Sequence, residues 1–117
     1  MPNTIRRLLV LTSLVLLSNS ALAQETTTEQ ISADRALTEL LDQVWNFELE
    51  SSPLLATNIG DPRGQDRLAD DSLLAIQARA DRRGKFLKKL EAVSVKNLSE
   101  GKQIDHELLR RRLEGQL

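Results

Sequence analysis

Three aromatic side chains, Trp45, Phe47 and Phe86, are all that this 117-residue chain offers a core. Strands draw their packing from aromatic and β-branched residues, so a chain whose apolar stock is mostly Leu, Ile, Val and Ala is biased towards helices. Its 40% hydrophobic and 28% charged residues match a globular protein rather than a disordered tail. The length suits one small domain at most. The expected fold class is therefore all-α.

Residues 1–23 read as an export signal. Arg6 and Arg7 form a basic start, Leu8 to Leu17 an apolar run broken only by Thr12 and Ser13, and Ala21-Leu22-Ala23 a small-x-small cleavage site, with cleavage before Gln24. The apolar run is shorter than the roughly 20 residues a membrane-spanning helix needs. The chain has no cysteine, hence no disulfide and no lipid-modified cysteine. A periplasmic or secreted protein with no membrane contact after cleavage is expected. Loss of Arg6 and Arg7 leaves it mildly acidic, a poor match for nucleic acid.

In the remaining chain, residues 24–31 are polar and without apolar periodicity, the pattern of a flexible leader. Ser32 has the chemistry of an N-cap, with Asp34 in the first turn complementing the helix dipole. Leu37, Leu40, Leu41, Val44 and Glu48 then share one helix face, flanked by Trp45 and Phe47. Pro53 ends this helix and starts a short one, and Gly60-Asp61-Pro62 and Arg63-Gly64 supply turns. Asp71 or Ser72 begins a long helix to about Val93, with Leu73, Ile76, Ala80, Leu87 and Leu90 on its main face and Phe86 beside it. Gly84 inside it implies either a close helix crossing or simple tolerance. The cations Arg79, Arg82, Arg83, Lys85, Lys88 and Lys89 read as a solvated face, with a binding patch for an acidic partner as the lesser alternative. Ser99 caps a third helix with Ile104, Leu108, Leu109 and Leu113 on one side, Glu100 in its first turn, Arg110 to Arg112 near its end and Gly115 in the position of a C-terminal cap.

The chemically suggestive stretch is "HELLRRR", His106 to Arg112. A helical zinc site wants a second histidine four residues after the first, and that position holds Arg110, a permanent cation where a metal would sit. Glu107 is instead spaced to pair with Arg110 or Arg111. Asp105 cannot serve His106 in a Ser-His-Asp arrangement, because helix neighbours point to different sides. The "DPRGQD" stretch, Asp61 to Asp66, lacks the repeated acids and closing glutamate of a calcium loop, and the glycines are too scattered for a phosphate loop. No catalytic, cofactor-binding or metal residue is assigned from these patterns.

The succession "LTELLDQVWNFELE", "SPLLATNIGDPRGQDRLAD", "SLLAIQARADRRGKFLKKLEAV" and "NLSEGKQIDHELLRRRLE" resembles the beginning of the bacterial family catalogued as domain of unknown function 885. The resemblance runs from about Ala33 to Glu114. It is carried by Pro53, Ala56, Thr57, Gly60 and Asp61, by Asp66-Arg67-Leu68, and by Asp105 with Leu108-Leu109-Arg110-Arg111. Pro62 departs from the family, whose members commonly have a histidine or another polar residue there. The resemblance implies an exported, mostly helical protein of the zinc metallopeptidase type, whose histidine-glutamate motif lies far downstream of these helices. Beside the signal peptide read at 1–23 and the leader at 24–31, it implies that the roughly three amphipathic helices of 32–117 form the N-terminal part of a larger domain. The implied partners are the remainder of a longer polypeptide and a peptide substrate, with zinc in the full-length protein and no cofactor in this chain. The alternative is a stand-alone periplasmic helical module that binds a partner protein.

Overall fold

The structure is a computed structural model that describes the backbone of residues 3–117 and the side chains of residues 27–117. The export signal read in residues 1–23, with its apolar run and cleavage site, lies outside the side chains so described. The chain is all-α, with no strand among the described residues. Its helices are α1 (Asn3–Ser51), α2 (Pro53–Asn58), α3 (Leu73–Glu91) and α4 (Glu100–Glu114), with one 3-10 turn at Val95–Asn97.

Helix α1 ends where expected, one residue before the Ser52-Pro53 step, and Pro53 occupies the first turn of α2, where its missing N–H costs nothing. Its start differs from the expectation. Residues 24–31 fall within α1, so Ser32 is an interior residue and not an N-cap. No glycine or proline interrupts residues 3–52, and threonine, glutamine and glutamate tolerate helix well enough for the backbone hydrogen bonds to continue through them. Among the described side chains, the core contacts of α1 start at Ala33 and Leu37.

Helices α3 and α4 form an antiparallel pair against the C-terminal half of α1. The core joins Leu37, Leu40, Val44 and Phe47 of α1 to Phe86 and Leu90 of α3, Leu98 of the connector, and Leu109 and Leu113 of α4. Burial of each such side chain is worth about 1.5–3 kcal/mol. Ring edges add to this where Phe47 and Phe86 meet, their centroids 5.5 Å apart with planes tilted by 59°.

The caps divide in an informative way. Ser72 rather than Asp71 caps α3, its Oγ accepting from Ala75 N at 3.2 Å, while Asp70 Oδ1 accepts from Ser72 N at 2.9 Å. Ser99 stands at the N-cap of α4 but makes no side-chain cap bond. Its N–H donates instead to Asp34 Oδ1 at 2.9 Å. Asp34 therefore ties α1 to the start of α4 rather than serving the dipole of its own helix, and this bond holds its carboxyl below the usual range.

The side of α3 that its spacing suggested is buried only in the second half, where Leu90 is enclosed and Leu87 packs on the core. Leu73 is 86% exposed and Ile76 47% exposed, whereas Phe86 and Leu90 are buried. Only the C-terminal half of α3 lies against α1 and α4, so apolar residues in its first turns have nothing to pack on. On α4, Ile104 and Leu108 likewise face solvent, whereas His106 is buried with Leu109 and Leu113.

Two glycines allow opposite predictions. Gly64 has φ of 82°, and a Cβ there would meet Pro53 Cβ at 2.8 Å. Gly64→Ala is expected to destabilise the protein by about 1–3 kcal/mol, through both the left-handed backbone and this clash. Gly84 faces only Leu117 Cδ2 at 3.9 Å, so no helix crosses closely there and tolerance explains it. Gly84→Ala is expected to stabilise by about 0.5–1 kcal/mol, the helix-propensity difference. Urea unfolding followed by circular dichroism checks both signs.

Candidate functional site

His106 is 7% exposed and its Nε2–H donates to the carbonyl of Leu90 at 3.1 Å, in the last turn of α3. That bond specifies the Nε2-protonated tautomer, which leaves this nitrogen no lone pair for a metal. Glu107 is equally committed. Its Oε1 accepts from Arg110 Nη2 at 2.8 Å and from Arg111 Nε at 2.7 Å, and its Oε2 accepts from Arg110 Nε at 3.0 Å. Arg110 also donates to Glu114 Oε1 at 2.7 Å. Among the described residues, no group of three or more His, Cys, Asp or Glu side chains is placed to hold a metal ion. The "HELLR" donor set thus does not fit zinc. Its histidine is a packing residue that satisfies a helix-end carbonyl, and its glutamate anchors a surface ion network.

These arginines hold the Glu107 carboxyl at about 2, against its ordinary 4.5. In the loop before α3, Arg63 does the same to Asp61, which falls to about 2 from 3.8. Asp61 accepts from the Arg63 backbone N–H and from its guanidinium at 2.7–2.9 Å, while Arg63 Nη1 donates to Asn46 Oδ1 at 2.9 Å, pinning the loop to α1. Because both carboxyls titrate lower when folded than when unfolded, their stabilisation is complete above the ordinary carboxylate range and disappears as pH falls towards 2. The urea midpoint is expected to decline between pH 5 and about 2, and less steeply in an Asp61→Asn/Glu107→Gln double variant.

Glu48 forms the most buried charged junction. Its side chain is 9% exposed, and it meets Arg83 Nε of α3 at 3.4 Å through Oε1 and Arg112 Nη2 of α4 at 3.6 Å through Oε2. The spacing of α1 put Glu48 on the apolar face, a signal that it is buried, but nothing local identifies its partners, 35 and 64 residues away. Three of the other α3 cations also make specific contacts, while Lys85 and Lys88 stand exposed as a solvated face would have them. Arg79 donates to the Asp70 carbonyl at 2.6 Å, Lys89 to Gln43 Oε1 at 2.8 Å, and the Arg82 guanidinium lies 5.7 Å from the centroids of both Phe47 and Phe86.

A comparison with family models finds no match, and neither the curated proteins nor the solved structures contain a match to this chain. Among the described residues, no helix is long and apolar enough to cross a membrane.

Proposed function

We propose that these helices are a non-catalytic N-terminal part of an exported protein of the zinc metallopeptidase type, with zinc and the peptide-hydrolysing residues carried by further chain. The observation that supports this reading most is the set of apolar side chains left in solvent beside one another in sequence. Leu68, Leu73 and Leu74 are 90%, 86% and 83% exposed. Leucines at the start of a helix gain nothing from water, and their cover in this reading is the remainder of a longer polypeptide. The commitment of His106 and Glu107 to other bonds agrees with a metal centre elsewhere.

A second reading, a stand-alone periplasmic module that binds a partner protein, is favoured by the closed core of α1, α3 and α4, which includes its own buried ion junction. An immunoblot of a periplasmic fraction, with an antibody against residues 65–72, separates the two. A band much larger than the mature chain supports the first reading. A band at the size of the mature chain removes the peptidase reading and leaves the binding module. Dialysed against zinc, the isolated chain is expected to retain none in stoichiometric amount. Zinc retained and then lost in His106→Ala would overturn the assignment of that residue to packing.

A further inference from the structure

Between α1 and α3 runs a solvent-open groove of about 370 Å³, with Arg82, Lys85 and Lys89 along its α3 rim. Positions three and four apart share a helix face, so these cations form one row about 10 Å long, at 1.5 Å rise per residue. Phe47 and Phe86 lie at the base of the groove, and Gln43, Asn46 and Glu50 form its α1 wall. The rim therefore sets three cations against one carboxylate. Among the described residues, neither Arg82 nor Lys85 has an acidic partner, in contrast to Arg83, which is paired with Glu48.

Arg82 is also held in a particular way. Its guanidinium lies 5.7 Å from both ring centroids. A cation–π contact engages none of the guanidinium N–H groups as hydrogen-bond donors, and that donor fork matches a carboxylate. We infer that this groove docks an acidic segment of a partner protein, whose carboxylates, one or two helical turns apart, meet Arg82, Lys85 and Lys89. A row of this length exceeds what a single phosphate needs. Its concave shape suits a peptide better than a flat anionic membrane. The inference stands apart from the peptidase reading, since neither zinc nor the length of the native chain enters it.

The test is fluorescence anisotropy of the purified protein with a fluorescein-labelled Asp/Glu-rich peptide at near-physiological salt. Lys85→Glu and Lys88→Glu reverse the same charge on the same helix, but only Lys85 lines the groove. Lys85 makes no hydrogen bond or ion pair among the described residues, so its replacement leaves the fold intact, as circular dichroism would verify. Saturable binding that weakens about tenfold or more in K85E and less than about twofold in K88E is the expected result, the contrast between reversing a charge that lines the groove and one that does not. Equal weakening in both variants, or no saturable binding, overturns the proposal. So does displacement of the peptide by inorganic phosphate at matched concentration, or binding confined to phosphatidylglycerol vesicles.

Discussion

Leu90→Ala is expected to lower the stability of the protein by about 3 kcal/mol, within the range for removing a leucine from a closed core. Leu90 has no exposed surface and lies where α1, α3 and α4 meet. The remaining methyl leaves a cavity that three helices would have to shift together to fill, and the helix-end carbonyl of Leu90 must stay in reach of His106. In a chain of this size that loss lowers Tm by roughly 15 °C. Leu74→Ala removes the same atoms from a side chain 83% exposed and is expected to change stability by less than about 0.5 kcal/mol. Urea melts of the two variants measure the contrast. A similar loss in both would mean that the first turns of α3 are packed in solution.

Glu48→Ala is the second large effect. It strands Arg83, whose side chain is 16% exposed, and removes the link from α1 to α4 through Arg112. Breaking a fully buried pair costs about 3–5 kcal/mol, but Arg112 is half-exposed and water reaches it, so about 2 kcal/mol is expected. Glu48→Met fills the volume without a charge and is expected to lose less than the alanine variant, because packing recovers part of the transfer energy. The loss in Glu48→Ala should persist at high salt, whereas the exposed Glu107 pairs with Arg110 and Arg111 are screened. Chemical denaturation at two salt concentrations reports both. An alanine variant as stable as the parent would remove the junction as a source of stability.

The candidate groove was only half legible. Its cations are visible in sequence as the run from Arg79 to Lys89, but the pairing of Arg83 with Glu48 and the approach of Arg82 to the Phe47 ring are not. These depend on residues more than thirty positions away, which no spacing rule within one helix can identify. The zinc-like His106-Glu107 pair is the opposite case. Arg110 and Arg111 lie within one turn of Glu107, so the sequence alone shows why the carboxylate is engaged.

Interactions within a turn or two were therefore determined by sequence. Pro53 ends α1 and opens α2, Ser72 caps α3, and Glu100 and the final arginines order the charge of α4, each through the chemistry of near neighbours. Tertiary structure decided the rest. It turned Asp34 from a dipole partner of its own helix into the acceptor for Ser99, and buried His106 while leaving Ile104 and Leu108 in water. It also left the leucines that open α3 without a packing partner. The physical reason is that helix formation is settled by local hydrogen bonds and side-chain spacing. Burial depends on which helix comes within about 10 Å, and here α1 and α4 reach only the second half of α3.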